Sequence, residues 1–127
     1  MIEFLPQSHD NFIAIKVGGT LTARDYEREL IPKLDELLSK NSTINILFVM
    51  DETFSGWSMN AAWDDATYAL KHRAQFDRIA VVGGPAWVGW CMRAGAFLMS
   101  GEIRSFASGE LESALQWVDP DLREGKA

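Results

Sequence analysis

Ile79-Ala-Val-Val-Gly-Gly-Pro-Ala-Trp-Val-Gly-Trp-Cys-Met-Arg-Ala-Gly-Ala-Phe-Leu-Met-Ser100 reads as a strand, a tight turn and a helix in one run. The first residues are uniformly apolar, as in a strand buried on both faces. Gly83-Gly84 break the strand, and Pro85 suits the first turn of a helix, where its missing N–H costs nothing. At about 100° per residue, Trp87, Trp90, Cys91, Ala94, Phe97 and Leu98 share one side of that helix. Val88, Met92, Gly95 and Met99 carry the apolar surface around the back, and Arg93 is the only charge. A helix so apolar is either buried or set against something other than water. At ~1.5 Å per residue it falls short of the ~30 Å hydrocarbon core of a bilayer, so it does not span one. A core helix or a homodimer contact accounts for it; so does a cover over a hydrophobic ligand or a contact with a lipid surface.

Strands and helices alternate along the rest of the chain, with no internal repeat. Ile2–Leu5 and Phe12–Val17 read as two strands joined by a short polar turn, hence antiparallel neighbours. Gly18–Thr22 reads as a loop, with Thr22 and Asp25 forming a capping box. The helix that follows spaces Tyr26, Leu30, Leu34, Leu37 and Leu38 helically, and Pro32 inside it predicts a kink or a restart. Ile44–Met50 is the strongest strand pattern. After the loop Asp51–Gly56, a helix is expected over about Ser58–Gln75, with Met59, Ala62, Trp63, Ala66 and Leu70 inward and Asn60, Asp64, Asp65 and Lys71 outward. Trp57 and Tyr68 fall off that inner face. Asp77–Gly83 is the next strand, and Glu102–Phe106 is a last, more polar one that suits a sheet edge. Ser108 is expected to cap a closing helix whose apolar stripe is Leu111, Leu115 and Val118, ended by Asp119-Pro120. The order β-β-α-β-α-β-α-β-α predicts an α/β domain over residues 1–119, with a mostly parallel sheet, right-handed crossovers and a tail over 120–127.

Composition narrows the function. At 127 residues and 47% hydrophobic, the chain makes a single packed core. A net charge of −6 argues against nucleic acid and against purely electrostatic docking on anionic lipid, so any membrane contact must come from inserted apolar side chains. Cys91 is the lone cysteine, which suits a reducing compartment, and the amino terminus lacks a signal-peptide pattern. The expected location is cytoplasmic, extending to the inner face of the membrane.

Taken together, Gly19-Thr-Leu-Thr-Ala-Arg-Asp-Tyr26, Pro32, Phe54-Ser-Gly-Trp57, Ala61-Ala-Trp63, Leu70-Lys-His-Arg73, Phe76–Gly83, Trp87, Phe106 and Ala114-Leu-Gln-Trp117 resemble the SpoIIAA-like family of small bacterial STAS/SEC14-type domains. The resemblance spans about Ile2 to Trp117 and implies a sheet with its helices largely on one face. The related CRAL-TRIO or Sec14 fold implies an apolar pocket under a mobile helix. Anti-sigma-factor antagonists of this fold carry a phosphorylated Ser or Thr near the start of the helix after the third strand, which here implies Thr53, Ser55 or Ser58. Their Asp-Ser-hydroxyl arrangement is absent, and Phe54 and Trp57 intrude.

Other chemistry finds little support. Gly83-Gly84 lacks the G-x-G-x-x-G spacing of a dinucleotide loop, because Pro85 and Val88 stand at the later positions. Asp51 ends a central strand, but the strand ending at Val17 is followed by Gly18 and Gly19 where a receiver-type Mg²⁺ site needs acids. His9 and His72 have no partner at catalytic spacing, and two histidines with one cysteine give no metal-ligand pattern. No catalytic residue, metal or cofactor is expected. What remains is the apolar surface, with five tryptophans in a small chain. The expectation is non-enzymatic binding of a small hydrophobic or lipid-like ligand, or peripheral membrane association. Trp57, Tyr68, Trp87, Val88, Trp90, Cys91, Met92, Phe97 and Leu98 are its contact residues, the helix at about 86–99 its cover, and Gly83, Gly84 and Gly101 its hinges. The alternative is a partner-switch domain regulated near Ser55 or Ser58.

Overall fold

The computed structural model describes residues 1–86, 88, 89, 93 and 100–123. Its centre is β4 (Ile44–Met50), the middle strand of a five-stranded sheet whose order is β1 (Ile2–Phe4), β2 (Phe12–Val17), β4, β6 (Phe76–Gly83) and β7 (Glu102–Phe106). Successive side chains of a strand point to opposite faces. Ile44 and Ile46 therefore enter one core and Leu47 the other. The flanking strands β2 (Phe12–Val17) and β6 (Phe76–Gly83) run parallel to β4, with Ile46 opposite both Ile13 and Ile79. Outside them, β1 (Ile2–Phe4) is antiparallel to β2, and β7 (Glu102–Phe106) is parallel to β6 and forms the expected polar edge.

The larger core joins Ile13, Ile15 and Val17 of the sheet to Tyr26, Leu30 and Leu34, to Ala61 and to Val88. The opposite face, with Phe12, Ala14, Leu47, Ala80 and Val82, is equally apolar and also needs cover. Ala114 and Val118 of α4 (Leu111–Val118) supply it. The closing helix is thus the exception to the one-faced arrangement.

The first helical run begins with the expected capping box: the Asp25 N–H donates to Thr22 Oγ1, and the Thr22 N–H donates to Asp25 Oδ2. After one turn, α1 (Ala23–Asp25), the backbone widens into a π-helical turn, Tyr26–Leu30, before α2 (Ile31–Lys40) resumes. Pro32 explains the change, since its ring clashes with a carbonyl four residues earlier in a regular helix. The Ile31 N–H reaches back to the Tyr26 carbonyl instead, and Pro32 sits in the first turn of the restarted helix.

Several sequence expectations need correction. The stretches read as loops around Thr20 and Gly56 hold a two-stranded parallel sheet, β3 (Thr20–Leu21) and β5 (Gly56–Trp57), with Leu21 opposite Trp57. Two residues are too few to carry a periodicity, so only the tertiary pairing defines them. The next helix, α3 (Met59–Lys71), is capped by Ser58, which accepts the Ala61 N–H, but it ends four residues early. His72 closes it, with its Nδ1 2.6 Å from Gln75 Oε1. Its inner face is also rotated from the expected one. Ala61 is fully buried, whereas Met59 and Trp63 are 90% and 74% exposed and Leu70 is exposed as well. Ser108 does not cap α4; Glu110 precedes it and accepts the Ala107 N–H through its own carboxylate. Pro120 opens a short helix, α5 (Pro120–Arg123).

Candidate functional site

A cavity of about 320 Å³ lies between the larger-core face of the sheet and the helices that cover it. The sheet contributes Ile46, Phe48, Met50, Ile79, Val81 and Ile103 to its wall. The π-helical turn and α2 contribute Tyr26, Leu30, Ile31 and Leu34. Widening the helix at Pro32 keeps Tyr26, Leu30 and Leu34 on one side, four residues apart, facing the sheet. From α3 come Ala62, Asp65, Ala66, Tyr68, Ala69 and Leu70. Ala62, Asp65, Ala66 and Leu70 are accessible to solvent although they line the cavity, so it opens along this side of α3. Met59 and Trp63 stand on the same helical stripe as Ala66 and Leu70 and form an apolar rim beside the mouth.

Three polar groups are built into this wall. Trp57 Nε1–H donates to the Tyr26 hydroxyl at 2.7 Å. Tyr26 is itself buried, with its hydroxyl beside the Asp65 carboxyl. Burial and the neighbouring Asp65 charge push the Tyr26 phenol well above its ordinary value, so it stays neutral. Asp65 is exposed by surface area and lines the cavity; partial loss of water beside the apolar wall raises its pKa, and the neighbouring Tyr26 hydroxyl opposes that only in part. Tyr68 turns its hydroxyl away, donating to Asp35 Oδ1 at 2.7 Å, and lays its ring against His72, 4.4 Å between centroids. Burial and Asp35 together raise the Tyr68 phenol.

Of the residues singled out in the sequence, Trp57 and Tyr68 thus line the cavity. Val88 is buried in the larger core. Trp87, Trp90, Cys91, Met92, Phe97 and Leu98 lie outside the described residues, as does most of the proposed cover. Gly83 and Gly84 both have positive φ, +78° and +86°, and a Cβ on Gly83 would approach the Met50 carbonyl oxygen to 3.0 Å. Gly101 is held by proximity instead: a Cβ there would lie 2.2 Å from the carbonyl oxygens of Phe76 and Asp77. The sequence shows Tyr26 only as one member of a helically spaced apolar stripe and places Asp65 outward. The signal for Asp65 was its position four residues after Ala61 and three before Tyr68.

The three hydroxyls considered for phosphorylation all have partners. Thr53 donates to Asp51 Oδ1 at 2.6 Å and accepts the Gly19 N–H; the Thr53 hydroxyl is the main reason the Asp51 carboxyl titrates below its ordinary range. Ser55 Oγ lies 2.8 Å from Thr20 Oγ1 across the β3–β5 pair, and Ser58 caps α3. His9, which had no visible partner in sequence, meets Asp119 Oδ1 through its Nε2 at 2.8 Å, tying the β1–β2 turn to the end of α4. Among the described residues, no helix is long and apolar enough to cross a membrane.

No functionally curated protein matches the chain. Among solved structures, an uncharacterized protein of the DUF3478 family with a SpoIIAA-like fold, from Shewanella loihica, is similar to it at 32% identity and a TM-score of 0.72. That similarity covers 93% of this chain and 92% of the other. The family model described as SpoIIAA-like matches residues 12–119. With the parallel sheet, its crossovers and these matches in agreement, the chain belongs to the SpoIIAA-like family.

Proposed function

We propose that this protein binds a small apolar molecule between its sheet and its helices without transforming it. The observation that carries the reading is the cavity of about 320 Å³ with an aliphatic and aromatic wall and a mouth along α3. Protein interiors are close-packed and hold few voids larger than a water molecule. A space this size, at the lower end of ordinary ligand pockets, is a place for a ligand. The segment at about 86–99, apolar on nearly all sides in sequence, is the candidate cover.

Calorimetric titration of the purified protein with 1-octanol tests this. Saturable one-to-one binding is expected, and Ala66→Phe, which adds bulk at the accessible mouth with little disturbance of the core, should abolish it. Folded wild-type protein that takes up no octanol, or a variant that binds it unchanged, overturns the reading.

A second reading rests on the rim. Met59 and Trp63 are the most exposed large apolar side chains on α3 and flank the mouth, which suits collection of a ligand from a lipid surface. Co-sedimentation with neutral phosphatidylcholine vesicles should be lost in Met59→Ser/Trp63→Ser and survive high salt, because apolar insertion is not screened. Binding that salt removes, or that the double variant retains, counts against it. The family's fold also fits a partner switch at Thr53, Ser55 or Ser58. The existing hydrogen bonds of those hydroxyls, and the capping role of Ser58 in particular, favour the cavity.

A further inference from the structure

The chemistry of the cavity wall also selects the head of its ligand. We propose that Asp65, beside Tyr26 and Trp57 in the cavity wall, recognises an amphiphile with a cationic or hydrogen-bond-donating head, a protonated alkylamine above all, and rejects carboxylate-headed lipids. This inference rests on the cavity being a ligand site, and it adds what that site recognises.

The geometry runs through three side chains. Trp57 has one N–H, and it is spent on the Tyr26 oxygen at 2.7 Å. Tyr26 accepts that N–H and sits beside Asp65 on the cavity wall. Asp65 is the one charged group among the described residues that line the cavity, and it is an acceptor. An anionic head reaching it would meet a like charge. A carboxylate has about four lone-pair sites to offer a donor. Among the described residues Asp65 forms no ion pair, and its exposed surface leaves it open to a ligand at the mouth. A carboxylate among aliphatic walls is costly unless it is paired and hydrogen-bonded. A donor brought in by the ligand supplies the missing partner, and a positive one supplies it best. The apolar remainder of the wall, with Leu30, Ile46, Phe48, Ile79 and Val81, takes the tail. The chain's net charge of −6 acts in the same sense, favouring approach by cations over anions.

The test is a head-group series on one tail, n-octylamine, 1-octanol and octanoate at neutral pH, titrated calorimetrically into the wild-type chain and Asp65→Asn. The wild type is expected to bind the amine most tightly, the alcohol less, and octanoate at least about tenfold more weakly than the amine, the range of a charge-assisted hydrogen bond. In Asp65→Asn the amine should lose its advantage while the alcohol is retained. The wild-type ranking needs no variant, so a poorly folded Asp65→Asn does not rescue the proposal. Octanoate binding as tightly as octylamine overturns the head-group inference and leaves the cavity reading standing; so does an amine preference that survives Asp65→Asn. Failure of all three ligands to bind folded wild-type protein overturns both.

Discussion

Asn45 is buried to 1% exposure near the start of the central strand β4, and both polar atoms of its amide lack a hydrogen-bond partner. Its backbone is satisfied, since its N–H donates to the Asn11 carbonyl, so the cost lies in the side chain alone. A buried amide without partners bears its desolvation penalty in full, whereas an apolar group of similar shape does not. Asn45→Leu should therefore raise stability by about 1–2 kcal/mol, read as a higher urea midpoint at unchanged slope. His9 is a polar side chain of the opposite kind. Partial burial lowers its pKa, but hydrogen bonds to Asp10 and Asp119 and the charges of Asp119 and Asp121 outweigh that, and the net shift is upward. A raised imidazole pKa means the folded state holds the proton more tightly than the unfolded chain. The stabilisation is complete below the free value of 6.5 and is lost as pH rises through the folded one. The stability difference between wild type and His9→Gln, followed by urea denaturation across that range, should be largest at acid pH and shrink toward alkaline pH. A difference that stays flat would mean the Asp119 contact is worth the same with or without the proton.

The strands and helices were mostly legible in the chain because their signals are local. An uninterrupted apolar run such as Ile44–Met50 has one good solution, a strand covered on both faces. Thr22, Asp25 and Pro32 announced a helix start and an interruption, and the interruption took the form of a π-helical turn. The cavity was not legible, for a reason visible in α3. Amphipathic reasoning assigns the most apolar stripe to the core. In α3 that stripe, with Met59 and Trp63, lies on the rim, while Ala61, Tyr68 and the charged Asp65 turn toward the sheet and the cavity. Hydrophobicity marks where water is avoided; it does not distinguish a packed interior from the border of a binding site. Glycines were similarly ambiguous. Gly101, read as a hinge, begins the approach to β7 where the chain passes tightly against the start of β6. A methyl group there would overlap two backbone carbonyls that cannot move without disturbing the strand. Gly101→Ala should cost about 1–3 kcal/mol, toward the upper end, by the general cost of overpacking. Gly109→Ala, where the added carbon meets nothing within 4 Å, is the matched control in thermal melts. Equal melting temperatures would remove the close-approach explanation.

A domain of this size has only a few kcal/mol of net stability, so a carboxylate that loses part of its water beside an apolar wall weighs on the fold. Sheet and helices still place Asp65 there, with Tyr26 and Trp57 ranked behind it. The same arrangement that gives the cavity its selectivity should make the unliganded protein less stable than it need be, which is the usual relation between a binding site and its scaffold. The sign can be worked out from the proton. Loss of water raises the Asp65 pKa in the folded chain above the ordinary aspartate value of 3.8. Between those two values the folded state holds more protons than the unfolded, so stability falls as pH rises through the interval. Above it the penalty is constant; below 3.8 both states carry the proton and the penalty vanishes. Asp25 and Asp51, whose pKa values are lowered, act in the opposite direction, so the total pH profile conceals the effect and only a difference between variants isolates it. Asp65→Asn keeps the side chain's size and gives Tyr26 an oxygen to bond, but carries no charge. It should be more stable than wild type at neutral pH, and the gap should close as pH falls toward 3.8. Added octylamine should narrow the gap at neutral pH, because it stabilises the wild type in proportion to its binding and the variant much less. Urea midpoints for both chains at neutral and acid pH, with and without the amine, give the four comparisons. A variant less stable than wild type at neutral pH would mean that the carboxylate's contact with Tyr26 outweighs its loss of water, making Asp65 a support of the fold.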